Sequence, residues 1–276
     1  MCCLSATSLA QITQDNATST QGRAWSVKPR ISLTETFTDN ANINRSASNT
    51  QNQLITELAP GIRIEARTER LNAYLDYSLR GQFYARESDN NRSQNSLNTF
   101  GTLEAVENWL FLDFSGVIAQ QTISAFGTQS TSNTAINNNS TETATYRLSP
   151  YIRGQLAGTT EYLLRYNLST TRSDAGNVSD TDLSQWIGLL RGSTPFKNLQ
   201  WTIDGNQQTT EYSRGRKTDA EIIRAILTYS ISPQFRVKVS GGQESNNYVS
   251  VGQETTTTHG YGFDWNPTER TKFSAF

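Results

Sequence analysis

Leu71-Asn-Ala-Tyr-Leu-Asp-Tyr-Ser-Leu-Arg-Gly-Gln-Phe-Tyr-Ala-Arg86, read in steps of two, separates into an apolar row and a polar row. Leu71, Ala73, Leu75, Tyr77, Leu79, Gly81, Phe83 and Ala85 fall on one side; Asn72, Tyr74, Asp76, Ser78, Arg80, Gln82, Tyr84 and Arg86 fall on the other. A two-residue period is the signature of a β-strand with one face in an apolar medium and one in a polar medium. Strands of soluble domains usually run about 5–6 residues, so a period held this long points to a membrane barrel.

The pattern recurs outward from this stretch. Leu58, Pro60, Ile62, Ile64 and Ala66 oppose Glu57, Ala59, Gly61, Arg63 and Glu65. Tyr146, Leu148, Pro150, Ile152, Gly154 and Leu156 oppose Arg147, Ser149, Tyr151, Arg153 and Gln155. Tyr162, Leu164, Tyr166 and Leu168 oppose Glu161, Arg165, Asn167 and Ser169, with Leu163 an interruption. Ile223, Ala225, Leu227, Tyr229 and Ile231 oppose Arg224, Thr228 and Ser230, with Ile226 a blemish. Residues 109–122 are apolar on both faces near their start, which leaves their parity open.

Composition fits this class and excludes others. Only 35% of the 276 residues are hydrophobic, and no run approaches the ~18–20 apolar residues of a membrane helix. A barrel needs no such run, because half of each strand faces water. The formal net charge of -1 gives no polyanion-binding signature, so no nucleic-acid partner is expected. The only cysteines are Cys2 and Cys3, and Ser8-Leu9-Ala10 resembles a small-x-small export cleavage site before Gln11. The basic start and most of the apolar core of a signal peptide are missing. The expectation is therefore a start upstream and an export-signal remnant with a flexible segment over residues 1–22, followed by the barrel over 23–276. Cleavage after Ala10 would leave a mature chain without cysteine, hence without a disulfide or a thiolate metal site.

Two kinds of connection alternate. Short ones centre near Thr68-Glu69, Glu107-Asn108, Gly158-Thr159, Lys197-Asn198, Pro233-Gln234 and Pro267-Thr268. Longer polar ones cover residues 39–52, 87–96, 124–143, 173–181 and 213–219. Tight periplasmic turns alternating with longer outer loops are the habit of outer-membrane barrels. Aromatic residues follow the same geography: Trp25, Trp109, Phe196, Trp201, Phe235 and Trp265 lie at the short-turn end, as one interfacial girdle requires. Phe37, Phe83 and Tyr146 supply the second girdle, whereas Tyr212 and Tyr248 have the wrong parity for it.

About twelve antiparallel up-and-down strands are expected: 23–38, 53–67, 70–86, 97–106, 109–123, 143–156, 160–172, 182–194, 199–212, 220–231, 235–248 and 255–265. A thirteenth begins near Arg270 and is too short to span, since about 9–11 residues are needed. Bacterial barrels close with an even number of strands, so a C-terminally incomplete barrel of at least fourteen is expected.

The polar rows carry charge: Arg63, Glu65, Asp76, Arg80, Arg147, Arg153, Glu161, Arg165, Asp204, Arg236 and Lys238 should point into the lumen. An Arg or Lys facing lipid at mid-membrane costs about 2–4 kcal/mol, which favours the inward assignment. These charges either tune a water-filled pore or fill a narrower interior with ion pairs. Tyr74, Tyr84 and Tyr151 on the same rows are candidates to stack on sugar rings. No catalytic residue, metal site or cofactor is expected. His259 is the only histidine, with no cysteine or second histidine near it, and a Ser–His or Asp–His mechanism would have to use it. Asp39-Asn40 and Asp89-Asn90-Asn91 lack the spacing of an EF-hand calcium loop.

Several segments, taken in order, resemble the PEP-CTERM-system-associated outer-membrane protein family. They are Ile31-Ser-Leu-Thr-Glu-Thr-Phe-Thr-Asp-Asn-Ala-Asn42, Leu58-Ala-Pro-Gly-Ile62, Leu75-Asp-Tyr-Ser-Leu-Arg-Gly-Gln-Phe-Tyr-Ala-Arg86, Glu107-Asn-Trp-Leu-Phe-Leu-Asp113 and Gln120-Gln-Thr-Ile-Ser-Ala-Phe-Gly127. They cover about residues 30–130. The resemblance implies the outer membrane of a Gram-negative bacterium, outer-membrane lipid around the chain, and exopolysaccharide and its export machinery as partners. It implies no particular functional residue. The expected function is thus a passive channel or structural component in exopolysaccharide export. The alternatives are a general diffusion porin or nutrient channel and a secreted glycan-binding β-solenoid adhesin.

Overall fold

A computed structural model of the chain describes residues 24–39, 41, 52–127, 136, 139–176, 178–195, 198–248 and 252–275. The alternating stretches form thirteen β-strands among these residues. They are β1 (Trp25–Thr38), β2 (Gln53–Arg67), β3 (Leu71–Tyr84), β4 (Arg92–Val106), β5 (Leu110–Thr122), β6 (Ser140–Leu156) and β7 (Thr160–Ser173). The rest are β8 (Thr181–Ser193), β9 (Leu199–Tyr212), β10 (Lys217–Ser232), β11 (Phe235–Tyr248), β12 (Gly252–Thr268) and β13 (Thr271–Ala275). Among the described residues a three-residue 3-10 turn, Ser88–Asn90, accompanies them.

The strands form one sheet in strict chain order from β1 to β13, each running antiparallel to the next, and hydrogen bonds do not close it on itself. This up-and-down meander differs from a solenoid, whose coils would stack strands in parallel over a fixed repeat. By internal contacts the chain divides into two compact units. The first comprises Met1–Thr102, Phe114–Tyr146 and Thr171–Ser179; the second comprises Leu103–Asp113, Arg147–Thr170 and Asp180–Phe276.

Register fixes the faces. In the first unit Val27 pairs with Ile64 and Ile64 with Leu75, so the apolar rows of β1, β2 and β3 share one side. In the second, Trp201 pairs with Leu227, Leu227 with Val239 and Val239 with Tyr261. A slip of one residue would move every one of these side chains to the other face. The parity left open for β5 resolves here. Leu110, Leu112 and Phe114 take the apolar side, whereas Phe111 and Asp113 turn to the polar side, where Phe111 stacks on Tyr151 and Asp113 pairs with Arg165.

The apolar side is uncovered. Ile31 is 72% exposed, Val239 58%, Ile231 60% and Tyr261 85%. Buried apolar residues are confined to Ala41, Ile55, Ala59, Ala66, Tyr84 and Phe111 among the described residues. A soluble sheet of this size would bury one face under a second layer. Among the described residues the apolar face meets no protein layer within either unit, and contiguous apolar surface of this extent marks contact with a partner or a membrane.

Strand boundaries fall within two residues of expectation for most elements; β2, β9 and β11 coincide with it. The larger departures lie at the long-loop ends and at the last short turn. β4 begins at Arg92 rather than Leu97, β6 at Ser140, β10 at Lys217 and β12 at Gly252. These added residues are polar on both faces, so they show no alternation. They are held by side-chain bonds: Asn95 Nδ2 donates to Glu142, whose other oxygen accepts from Asn95 N at 2.8 Å. Asp219 accepts from Thr209 at 2.6 Å, and Lys217 pairs with Glu211 at 3.2 Å. At the last hairpin the turn falls at Glu269 and Arg270, two residues beyond the Pro267-Thr268 position expected, because Pro267 and Thr268 continue β12.

Aromatic rings cover glycines on the apolar side. Trp201 lies flat on Gly192 of the neighbouring strand, so close that a Cβ there would sit 2.7 Å from the ring. Tyr162 covers Gly154 in the same way, and its hydroxyl accepts a hydrogen bond from Trp109 Nε1 at 2.9 Å. Such aromatic–glycine pairs pin register and restore contact where the strand lacks a side chain.

Candidate functional site: the charged polar face

In the first unit the polar face is organised around Asp76. Arg63 stands directly opposite it on β2 and donates from Nε at 3.0 Å and Nη2 at 2.7 Å. Arg30 belongs to β1, with β2 in between. It still donates to both carboxylate oxygens, from Nη1 at 2.8 Å and from Nη2. It can cross because Gly61 lies in its path: a Cβ there would stand 3.0 Å from Arg30 Nε. The Tyr74 hydroxyl donates to Asp76 at 3.2 Å, and the Arg63 guanidinium lies 5.9 Å from the Tyr74 ring centre. Farther along, Arg80 pairs with Glu57 at 3.0 Å, and Gln82 donates to the same carboxylate at 3.1 Å.

In the second unit the pairs are laid out strand by strand. Arg165 reaches Asp113 at 2.8 Å, and its guanidinium covers the Tyr151 ring at 4.1 Å. Phe111 stacks on Tyr151 at 5.1 Å, and Arg153 lies 4.4 Å over Phe111. Arg191 donates to Glu161 at 2.6 Å. Arg224 faces Asp204 in register and binds it bidentately at 3.2 and 3.1 Å. Asp264 takes both Lys238 at 2.7 Å and Arg236 at 3.4 Å. Charge-assisted bonds from two cations on one carboxylate hold side chains that water would otherwise leave mobile.

Of the charges read from sequence, Arg63, Asp76, Arg80, Glu161, Arg165, Asp204, Arg236 and Lys238 enter ion pairs. Arg153 sits against an aromatic ring instead. Arg147 and Glu65 lie on the polar row without an ion pair among the described residues. The partners that sequence reading missed are Arg30, Glu57, Asp113, Arg191, Arg224 and Asp264. Alternation placed Glu57 and Arg224 on polar rows, but nothing in one strand's sequence says which residue of another strand a charge meets.

The three tyrosines differ. Tyr84 is 2% exposed, so its ring faces are closed to a sugar. Tyr151 is flanked by Phe111 of β5 and Arg165 of β7. Tyr74 stacks on Phe100 at 5.3 Å beside an open recess. Of the expected girdle, Trp25, Trp201, Phe235 and Trp265 stand on the apolar row beside short turns, and Trp109 lies in the β4–β5 turn itself. Phe196 lies outside the described residues. Trp186, half exposed on the apolar row of β8, packs on Tyr166 at 4.4 Å well inside the strand, a position the girdle pattern does not anticipate.

The oxygen-rich Asp89-Asn90-Asn91 stretch is spent on its own turn. Asn90 donates to Glu87 at 2.8 Å, and Asn91 accepts from Tyr84 N at 2.8 Å. His259 is exposed on the apolar row of β12, opposite Gly241. Among the described residues no group of three His, Cys, Asp or Glu side chains is placed to hold a metal. No protein-family model matches the chain, and no curated protein matches it either.

Proposed function

We propose that the chain is an outer-membrane β-barrel whose polar face lines a water-filled interior, serving exopolysaccharide export as a passive conduit or a structural component. One observation carries the membrane part of this reading. The same strands expose largely apolar rows on one side, with Glu35 and His259 among the exceptions, and hydrogen-bonded ion pairs on the other. In lipid, backbone groups must be paired within the sheet, and the first twelve strands, of 13–17 residues, supply the about 9–11 residues a crossing needs, whereas β13 has 5. The exopolysaccharide part rests on the resemblance of residues 30–130 described above.

The membrane reading predicts that the protein stays with outer membranes through alkaline carbonate extraction. Recovery in the soluble fraction would overturn it. A plain diffusion porin is the second reading, favoured by the ion pairs that largely cancel the fixed charge of the polar face. Purified protein in planar bilayers separates the two. Conductance blocked by added exopolysaccharide supports the export role, and conductance indifferent to it supports the porin.

A further inference from the structure

Phe100 breaks the rule of its own strand. It stands on the polar row of β4, yet it is 53% exposed. Other large apolar side chains stand on the polar rows, Leu189, Ile222 and Val117 among them, but this one is both exposed and braced: its ring stacks on Tyr74 at 5.3 Å with planes 25° apart. Tyr74 is in turn fixed by its hydroxyl bond to Asp76. A braced aromatic ring with an uncovered face, set on a surface of charges, is a platform rather than a piece of core.

Around it lies a recess of about 610 Å³, lined by Glu65, Arg67, Thr68, Asn72, Tyr74 and Phe100. That volume falls within the ~300–1,000 Å³ of small-ligand clefts. Register places the polar groups beside the rings, Glu65 opposite Tyr74 and Arg67 opposite Asn72. The Glu65, Arg67 and Asn72 side chains make no hydrogen bond or ion pair among the described residues. Together they offer a carboxylate that only accepts, a guanidinium that only donates and an amide that does both. The carboxylate and guanidinium cancel in charge.

We propose that this recess is a binding subsite for neutral hexose units, with the apolar face of a pyranose ring on Phe100 and its hydroxyl rim met by Glu65, Arg67 and Asn72. A pyranose is an amphipathic disc, which matches one flat apolar surface bordered by mixed donors and acceptors. The proposal rests on the reading that the polar face is bathed in water, and it names the class of solute that this face meets.

Titration calorimetry on the full chain in detergent micelles tests it, with maltohexaose, cellohexaose, laminarihexaose and mannohexaose as probes. At least one should bind in the millimolar range or tighter. Phe100→Ala should weaken that binding by about tenfold or more, and Phe100→Trp should retain it. Glu65→Gln should weaken it as well, whereas Thr228→Ala, on the polar row of β10, should leave it unchanged. Absence of binding by all four probes, or equal binding by Phe100→Ala, would overturn the proposal. Retained β-sheet circular dichroism in each variant excludes loss of the fold as the cause. Failure of the membrane reading has a different signature, carbonate extraction or absent conductance with the calorimetry unaffected.

Discussion

Arg30 and Asp76 are joined across an intervening strand, and Gly61 is the residue that leaves the path open. With Arg63 on the same carboxylate, three strands are tied on their polar face by one side chain. Gly61→Val would put bulk where Arg30 Nε now passes and against Tyr77 O, 2.8 Å from the added Cβ. Asp76→Asn would weaken both arginine contacts at once. Each substitution should lower the temperature at which the folded band converts to the unfolded one in a gel heat-shift assay. The double variant should lose less than the sum, because both act on one cluster. Full additivity would show that the two residues are not linked.

Trp201 on Gly192 gives a second test, on the apolar side. Gly192→Val removes the space the indole occupies, and overpacking of this kind costs about 1–3 kcal/mol. Urea titration of the protein folded into lipid vesicles should show that loss, with a changed Trp emission maximum. An unchanged midpoint would mean that the ring can move aside freely.

Adjacent positions on β10 separate the two faces. Leu227 is 52% exposed on the apolar row, and Thr228 follows it on the polar row opposite Lys238. Leu227→Arg should cost folding free energy in bilayers, less than the about 2–4 kcal/mol of a midplane position because Leu227 lies level with the girdle residue Trp201. Thr228→Arg should cost far less. Equal costs would remove the assignment of faces.

Lys217 and Glu211 pair at the long-loop end, where strand residues are polar on both sides. Such ends should stand outside the hydrocarbon. A membrane-impermeant amine reagent applied to intact cells should label Lys217. Peptide mapping by mass spectrometry reads the result, and protection of Lys217 would contradict it.

Most of the fold was legible because contrast between neighbours was strong. Leu71 to Tyr84 alternates without ambiguity, and β2 was bounded to the residue for the same reason. The reading failed where contrast vanished. Arg92 to Ser96 and Lys217 to Asp219 are polar on both faces, so their strand character comes from cross-strand bonds such as Asn95 to Glu142. β5 was opaque for the opposite reason, since Phe111 and Val117 are apolar on a polar row. The charged face was legible as a set of positions but not as pairs. Arg224 with Asp204 follows from register, whereas Arg30 with Asp76 needs a glycine on a third segment. Phe100 escaped notice because an isolated apolar residue on a polar row looks like noise until its neighbour Tyr74 is seen.

The central claim is that odd-numbered positions of β3 face lipid and even-numbered positions face water. Cys2 and Cys3 are the only native thiols, so a Cys-to-Ser background allows single cysteines to be placed and spin-labelled from position 72 to 82. In reconstituted bilayers, accessibility to oxygen should peak at 73, 75, 77 and 79. Accessibility to a water-soluble nickel complex should peak at 72, 74, 76, 78 and 80, out of phase with oxygen. High nickel accessibility at every position, with no two-residue period, would contradict the account.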